Sequence, residues 1–155
     1  MNPLPAVLYH GTNYSFEQFD PKYLGRACRN PATELGFFFS DDAEDALSWA
    51  LREQERSILV PRSARIIEVA LHLTKVKELS ESKFLFYLQR AKTSTIQRDR
   101  ESWIAEGYDG LAVTRGGHRW YAPFKVSAIE ILAKDRNTAD VTATSKASRS
   151  TLPRP

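Results

Sequence analysis

The sequence predicts an α+β fold with mostly antiparallel strand pairing. Two patterns support this. Strand-like segments occupy both ends of the chain with helical segments between them, and few strand–helix–strand units are visible along it. A third observation sets the scale: 155 residues with 42% hydrophobic content suit one domain around a single core.

Taken in order, AVLYHGT (6–12) reads as a first strand that runs into glycine at Gly11. Residues 13–35 are irregular, with a short helical turn at PKYLG. LGFFFS (35–40) is a short apolar strand. Asp41 to about Ser57 is the clearest helix. Asp41 stands at its cap with Glu44 three residues on, acidic residues fill its first turn, and Arg52 and Arg56 lie near its end, as the helix dipole favours. ARIIEVALHL (64–73) is a strand. A long helical stretch covers about 82–106 and is broken near Lys92–Thr95. Three short strands follow, GLAVT, RWYAPF and SAIEILA, with RGGH as a hairpin turn between the first two. The domain is placed at 1–133. Residues 134–155, rich in Ser, Thr and Ala, read as a flexible tail.

Net charge is +3, but the tail holds five basic and two acidic residues, which leaves 17 of each in the body. A neutral body argues against a dedicated nucleic-acid surface. The single cysteine, Cys28, excludes an intramolecular disulfide. With only His10, His72 and His118 beside it, a structural zinc site is not expected. No apolar run is long enough to span a bilayer, and the first residues do not read as a secretory signal. These features predict a cytoplasmic monomer without membrane association, or a protein delivered into a target cell without a signal peptide.

Two aromatic positions stand out. In GFFFS, strand alternation turns Phe38 away from Phe37 and Phe39, toward core or toward a cleft. In the helix that follows, Ala43, Ala46, Leu47, Ala50 and Leu51 form the apolar stripe, and Trp49 lies roughly 130° from its centre at about 100° per residue. A tryptophan off the core face either half-buries against a loop or seeks a flat partner. Phe38 and Trp49 are then candidates for the two walls of a slot for a planar ring.

Here the sequence resembles a known family. YHGT, then GFFFS, then an aromatic eleven residues after Phe38 is similar to the His-Tyr-Glu class of ADP-ribosyltransferases, which includes the diphtheria-type toxins, the poly-ADP-ribose polymerases and phage and bacterial domains of the polyvalent type. NYSFEQFDPKYLG, SDDAEDALSWA, ESWIAEGYDGLAV and PFKVSAIEIL continue the resemblance in the family's order, over most of residues 7–132. The resemblance implies a split antiparallel β-sandwich with a cleft for NAD, which is the substrate cofactor. It implies mono-ADP-ribosyl transfer to a macromolecular acceptor, protein or nucleic acid, in a bacterial or phage effector or toxin, with an immunity or inhibitor protein as a further partner.

Carried over residue by residue, the resemblance makes His10, Gly11, Thr12, Phe38, Ser40 and Trp49 the NAD-binding set. His10 would bond the adenosine ribose, and the Gly11 backbone would meet the nicotinamide carboxamide. Thr12 would support that turn. Phe38 and Trp49 would cover the two faces of the nicotinamide, where the family usually has tyrosines. The family's catalytic Glu stands four residues before the aromatic of the closing strand; here that position, counted back from Phe124, is Trp120. The catalytic candidates are therefore His10, Phe38, Trp49, Trp120 and Asp109, with Glu106 as a second carboxylate near in sequence. Each has a bland alternative. GYDG is an ordinary turn into a strand, His118 and Arg119 either meet a phosphate or the acceptor or simply follow the hairpin, and His72 reads as structural. Without the Glu, a non-catalytic nucleotide- or partner-binding module stands as the alternative function. Tyr121 is expected in the core, with Trp120 or Arg119 at the Glu position.

Overall fold

Period-two alternation and helical stripes build the elements, and a computed structural model of the chain describes residues 4–12, 19, 35–56 and 65–137. Among them the order is β1 (Leu8–Thr12), β2 (Phe39–Ser40), α1 (Ala43–Arg56), β3 (Arg65–Leu71), β4 (Val76–Leu79), α2 (Glu81–Gln89), α3 (Thr93–Ala105), β5 (Gly110–Arg115), β6 (His118–Pro123), a 3-10 turn (Val126–Ala128) and β7 (Ile129–Asn137). The strands form one sheet in the order β4-β5-β6-β2-β1-β3-β7. All pairings are antiparallel except β4 with β5.

The expected split takes a specific form. The two halves of the sheet meet only through the two-residue β2, where Tyr9 pairs with Ser40 on one side and Phe39 and Ser40 pair with Tyr121 and Trp120 on the other.

Alternation along each strand sorts residues between faces. On β5, Leu111 and Val113 join the core under α2 and α3, and Ala112 joins a second core with Phe39. On β6, Trp120 and Ala122 enter the first core and Tyr121 the second, so Tyr121 is buried as expected. A third, smaller cluster joins α1 to the sheet through Ala46, Leu47, Ala50 and Ile66, with Tyr9, Ala43 and Leu51 against it. That is the apolar stripe read from the sequence.

Several expectations change. The strand expected over 35–40 shrinks to Phe39–Ser40, with Leu35 in a turn and fully buried. The helix cap belongs to Asp42, not Asp41: Oδ1 of Asp42 accepts from the Glu44 N–H at 2.8 Å, while the Asp41 N–H donates to the Arg119 carbonyl at 3.0 Å. The sheet takes the backbone of Asp41, so the cap moves one residue on. The helical break falls at 90–92, two residues earlier than expected, and α2 is capped by the Ser80 hydroxyl accepting from the Lys83 N–H. Strand β4 was not anticipated. VKEL is short and half polar, and it is held by parallel pairing to β5 through the α2–α3 crossover. β7 continues past Ala133 to Asn137, with Arg136 and Asn137 paired to Ile66 and Arg65. The turn expected at PKYLG and the tail beyond 137 lie outside the described residues. The hairpin at Gly116 and Gly117 is as expected: φ is 60° and 82°, a left-handed pair joining Arg115 to its partner His118.

Candidate functional site

β1 reaches the sheet junction at His10. Its imidazole stands among Phe19, Phe37 and Phe39, with centroids at 5.2, 6.3 and 5.4 Å. Nδ1 donates to the Phe38 carbonyl at 2.8 Å. A carbonyl only accepts, so the proton of the neutral ring sits on Nδ1 and the Nε2 lone pair is an acceptor. Burial pushes the pKa of His10 below its ordinary value, against the opposing pull of the Phe38 carbonyl. His10 is therefore a neutral imidazole at pH 7.

Phe38 turns the other way, as alternation predicted. Its ring meets Phe84 at 5.6 Å and Trp120 at 6.4 Å. Trp49 leaves the α1 stripe and meets Trp120 edge-on at 5.0 Å and 76°. The two proposed slot walls thus share one neighbour, Trp120, which is 7% exposed. Three of the residues singled out from the sequence, Phe38, Trp49 and Trp120, come together. His10 is joined to them through the Phe38 backbone.

Gly11 faces the opposite side of β1 from His10. A Cβ there would stand 1.9 Å from the Ala46 carbonyl oxygen, so glycine is required for α1 to approach β1, whatever else its backbone does. Thr12 ends β1 and is buried. Ser40 is buried beside Trp120 in the register and accepts from the Asp42 N–H at 3.1 Å.

Asp109 lies elsewhere. Its carboxylate accepts from the Thr74 N–H and hydroxyl at 2.7 and 2.9 Å and from the Lys75 N–H at 3.0 Å. Burial pushes its pKa up, but these bonds outweigh it and hold the carboxyl below its usual value. It clasps the turn between β3 and β4. It also stands four residues before Val113, the β5 partner of Trp120, about 13 Å along the strand. Glu106 caps α3, and its carbonyl accepts from Lys75 Nζ at 2.9 Å.

The remaining polar candidates are engaged. Arg119 makes a two-pronged ion pair with Glu78 and bonds the Thr114 and Tyr121 hydroxyls at 3.0 and 3.2 Å. The Glu78 bonds raise its pKa further. His118 Nδ1 stands 3.5 Å from Asp41 and 3.8 Å from Asp42, and the exposed His72 bonds Glu130 at 2.9 Å.

Two neighbours of Trp120 were not singled out from the sequence. Oδ2 of Asp45 accepts from Trp120 Nε1 and from the Ser40 hydroxyl, both at 2.7 Å. Its spacing of four from Trp49, one helical turn on the same face, was the available signal. The Arg115 guanidinium lies 5.7 Å from both the Trp120 and Phe84 rings, and its Nη1 is buried with no hydrogen-bond partner among the described residues. Nothing in the sequence marked it, because the stack is made by residues far apart in the chain.

An apolar pocket of about 260 Å³ lies between Phe37, Arg100, Phe124 and Ile129; Phe38, Trp49 and Trp120 do not line it. Among the described residues no cluster of His, Cys, Asp and Glu has the makings of a metal site, and no helix is long and apolar enough to cross a membrane.

Comparison with protein families matches residues 2–138 to ADP-ribosyltransferase in polyvalent proteins. The chain belongs to this family. The mostly antiparallel α+β sheet and the helices packed on it are consistent with an ADP-ribosyltransferase fold. Domains of this kind generally use NAD as a substrate. Comparison with curated proteins and with solved structures gives no significant match. The residue four before Phe124, where the resemblance led to the expectation of an acid, is the buried Trp120.

Proposed function

We propose that the chain is a mono-ADP-ribosyltransferase that binds NAD at the junction of β1, β2 and β6 and transfers ADP-ribose to a macromolecular acceptor, protein or nucleic acid, as a bacterial or phage effector. The observation that carries this reading is the convergence of Phe38 and Trp49 on Trp120, beside the His10–Phe38 bond. A nicotinamide ring is flat and needs aromatic faces and few polar contacts, which these rings supply. His10, a neutral imidazole held by the Phe38 carbonyl, is the residue that the resemblance sets against the adenosine ribose. The orphan Nη1 of Arg115 is a second support, since a buried donor without a partner is the kind of group a bound ligand's oxygen satisfies.

In the reaction, the bond between nicotinamide N1 and ribose C1′ breaks with both electrons going to nitrogen, which neutralises the pyridinium. C1′ is left positively charged and takes a lone pair from the acceptor, whose proton is lost to solvent or a base. The chain's own residues hold the ring, orient the sugar and exclude water.

The test is incubation of the full chain with labelled NAD and a cell lysate, followed by separate protease and nuclease treatment. Label that enters the macromolecular fraction and is released by one of the two treatments supports the reading and names the acceptor class. One observation favours a second reading, a nucleotide- or partner-binding module without chemistry: the residue four before Phe124 is Trp120, not a carboxylate. Binding of NAD with no label transferred and no nicotinamide released would decide for the module.

A further inference from the structure

We infer that Asp45 is the carboxylate that faces the positive charge developing on the NAD ribose, in place of the acid missing at position 120. The inference rests on the transferase reading and deepens it. A cation forming in a water-poor cleft needs a fixed negative partner. The position that usually provides one holds Trp120, and Trp120 hands its Nε1–H to Asp45 at 2.7 Å. The acid function is thereby displaced by the length of one indole, from β6 to the first turn of α1.

Three features place Asp45 at the slot. Asp45 and Trp49 stand one turn apart on one face of α1, and both reach Trp120, the first through Nε1 and the second edge-on at 5.0 Å. Ser40, on β2 next to Phe39, donates its hydroxyl to the same carboxylate oxygen at 2.7 Å. Both donors bond Oδ2, and among the described residues no donor is assigned to Oδ1. One oxygen anchors the side chain and the other is available to a sugar hydroxyl. The neighbouring carboxylates are otherwise engaged: Asp42 caps α1, and Asp41 stands against His118. Asp45 forms no covalent bond in the step. It stabilises the charge at C1′ while nicotinamide leaves with the electron pair and water or the acceptor adds.

The arrangement permits a clean substitution. In Asp45→Asn the amide oxygen takes the place of Oδ2 and keeps both hydrogen bonds, while the charge is lost and the other oxygen is replaced by an NH2 donor. The experiment measures nicotinamide release from NAD by the full chain, with water as acceptor, alongside the Kd for NAD and the melting temperature. The expected result is a kcat lower by about 10²–10³-fold, the usual size of a lost electrostatic stabiliser, with melting temperature little changed and Kd raised by no more than about tenfold, the size of one hydrogen bond. Equal kcat in wild type and Asp45→Asn overturns the inference and leaves the transferase reading standing. A wild type that binds NAD and releases no nicotinamide overturns the inference in favour of the binding module. A wild type that does not bind NAD overturns both. Should Asp45→Asn fail to fold, Trp120→Phe carries the test, because it keeps a ring and deletes the donor that orients Asp45. A kcat about tenfold lower at unchanged KM, the size of one hydrogen bond, supports the inference, and an unchanged kcat overturns it.

Discussion

The imidazole of His10 donates from Nδ1 to the backbone carbonyl of Phe38 across 2.8 Å, so the middle of β1 fixes the segment that delivers the Phe38 ring. One contact thus sets the tautomer of the histidine and the course of the chain into β2. His10 and Phe38 were expected as two separate ligand contacts, but their first relationship is to each other.

His10→Gln removes the imidazole that the resemblance sets against the adenosine ribose. Calorimetric titration should show NAD binding about tenfold weaker than in wild type, the effect of about 1.4 kcal/mol. Binding equal to wild type would mean that the imidazole serves the fold alone.

The same residue predicts a pH dependence of stability. Its pKa in the folded chain lies below the ordinary 6.5, so the unfolded chain takes up the proton first. Its contribution is complete above pH 6.5 and is lost progressively as the pH falls below that value toward the folded pKa. Asp109, with a lowered carboxyl, loses its contribution only as the pH falls below about 3.8, so the two windows are distinct. Urea midpoints between pH 7.5 and 5 should fall in wild type and vary less in His10→Gln. Parallel profiles would assign the loss to other groups.

Gly11→Ala places a Cβ against the Ala46 carbonyl, a backbone atom that moves only if α1 moves. Overpacking of this kind costs about 3 kcal/mol or more. Denaturant unfolding should show that loss, or the variant should not accumulate as a folded protein. A fully stable Gly11→Ala would mean that α1 shifts without penalty.

Asp109→Ala leaves the Thr74 and Lys75 N–H groups without their acceptor. A stability loss of about 1–3 kcal/mol is expected, with nicotinamide release per folded molecule unchanged. A large fall in that rate at full stability would move Asp109 from the turn to the chemistry.

Much of this architecture is written locally. The α1 stripe, the alternation of GFFFS, the left-handed Gly116–Gly117 turn and the exclusion of Trp49 from the stripe all follow from spacings of a few residues, and short-range periodicity is what a sequence displays directly. The motif order from His10 to Phe124 was legible for the same reason, and so was the family. That the residue four before Phe124 is Trp120 and not a carboxylate could be counted from the sequence alone. Which carboxylate stands against Trp120 could not be read, because the answer depends on distance through space. Asp45 and Trp120 are 75 residues apart, and they meet only because β2 carries Ser40 against β6 and α1 follows it directly. Asp109 is close to the same position in sequence, yet strand geometry carries it about 13 Å away and the turn at Thr74–Lys75 takes its oxygens. The short β4 is the same lesson in the backbone: VKEL has little strand character of its own and becomes a strand because β5 offers it a parallel edge. The sequence determined most of the elements and the directions in which Phe38 and Trp49 turn, since these depend on neighbours in the chain. Tertiary structure decided which carboxylate stands beside them, since that depends on which strands the two-residue β2 brings together.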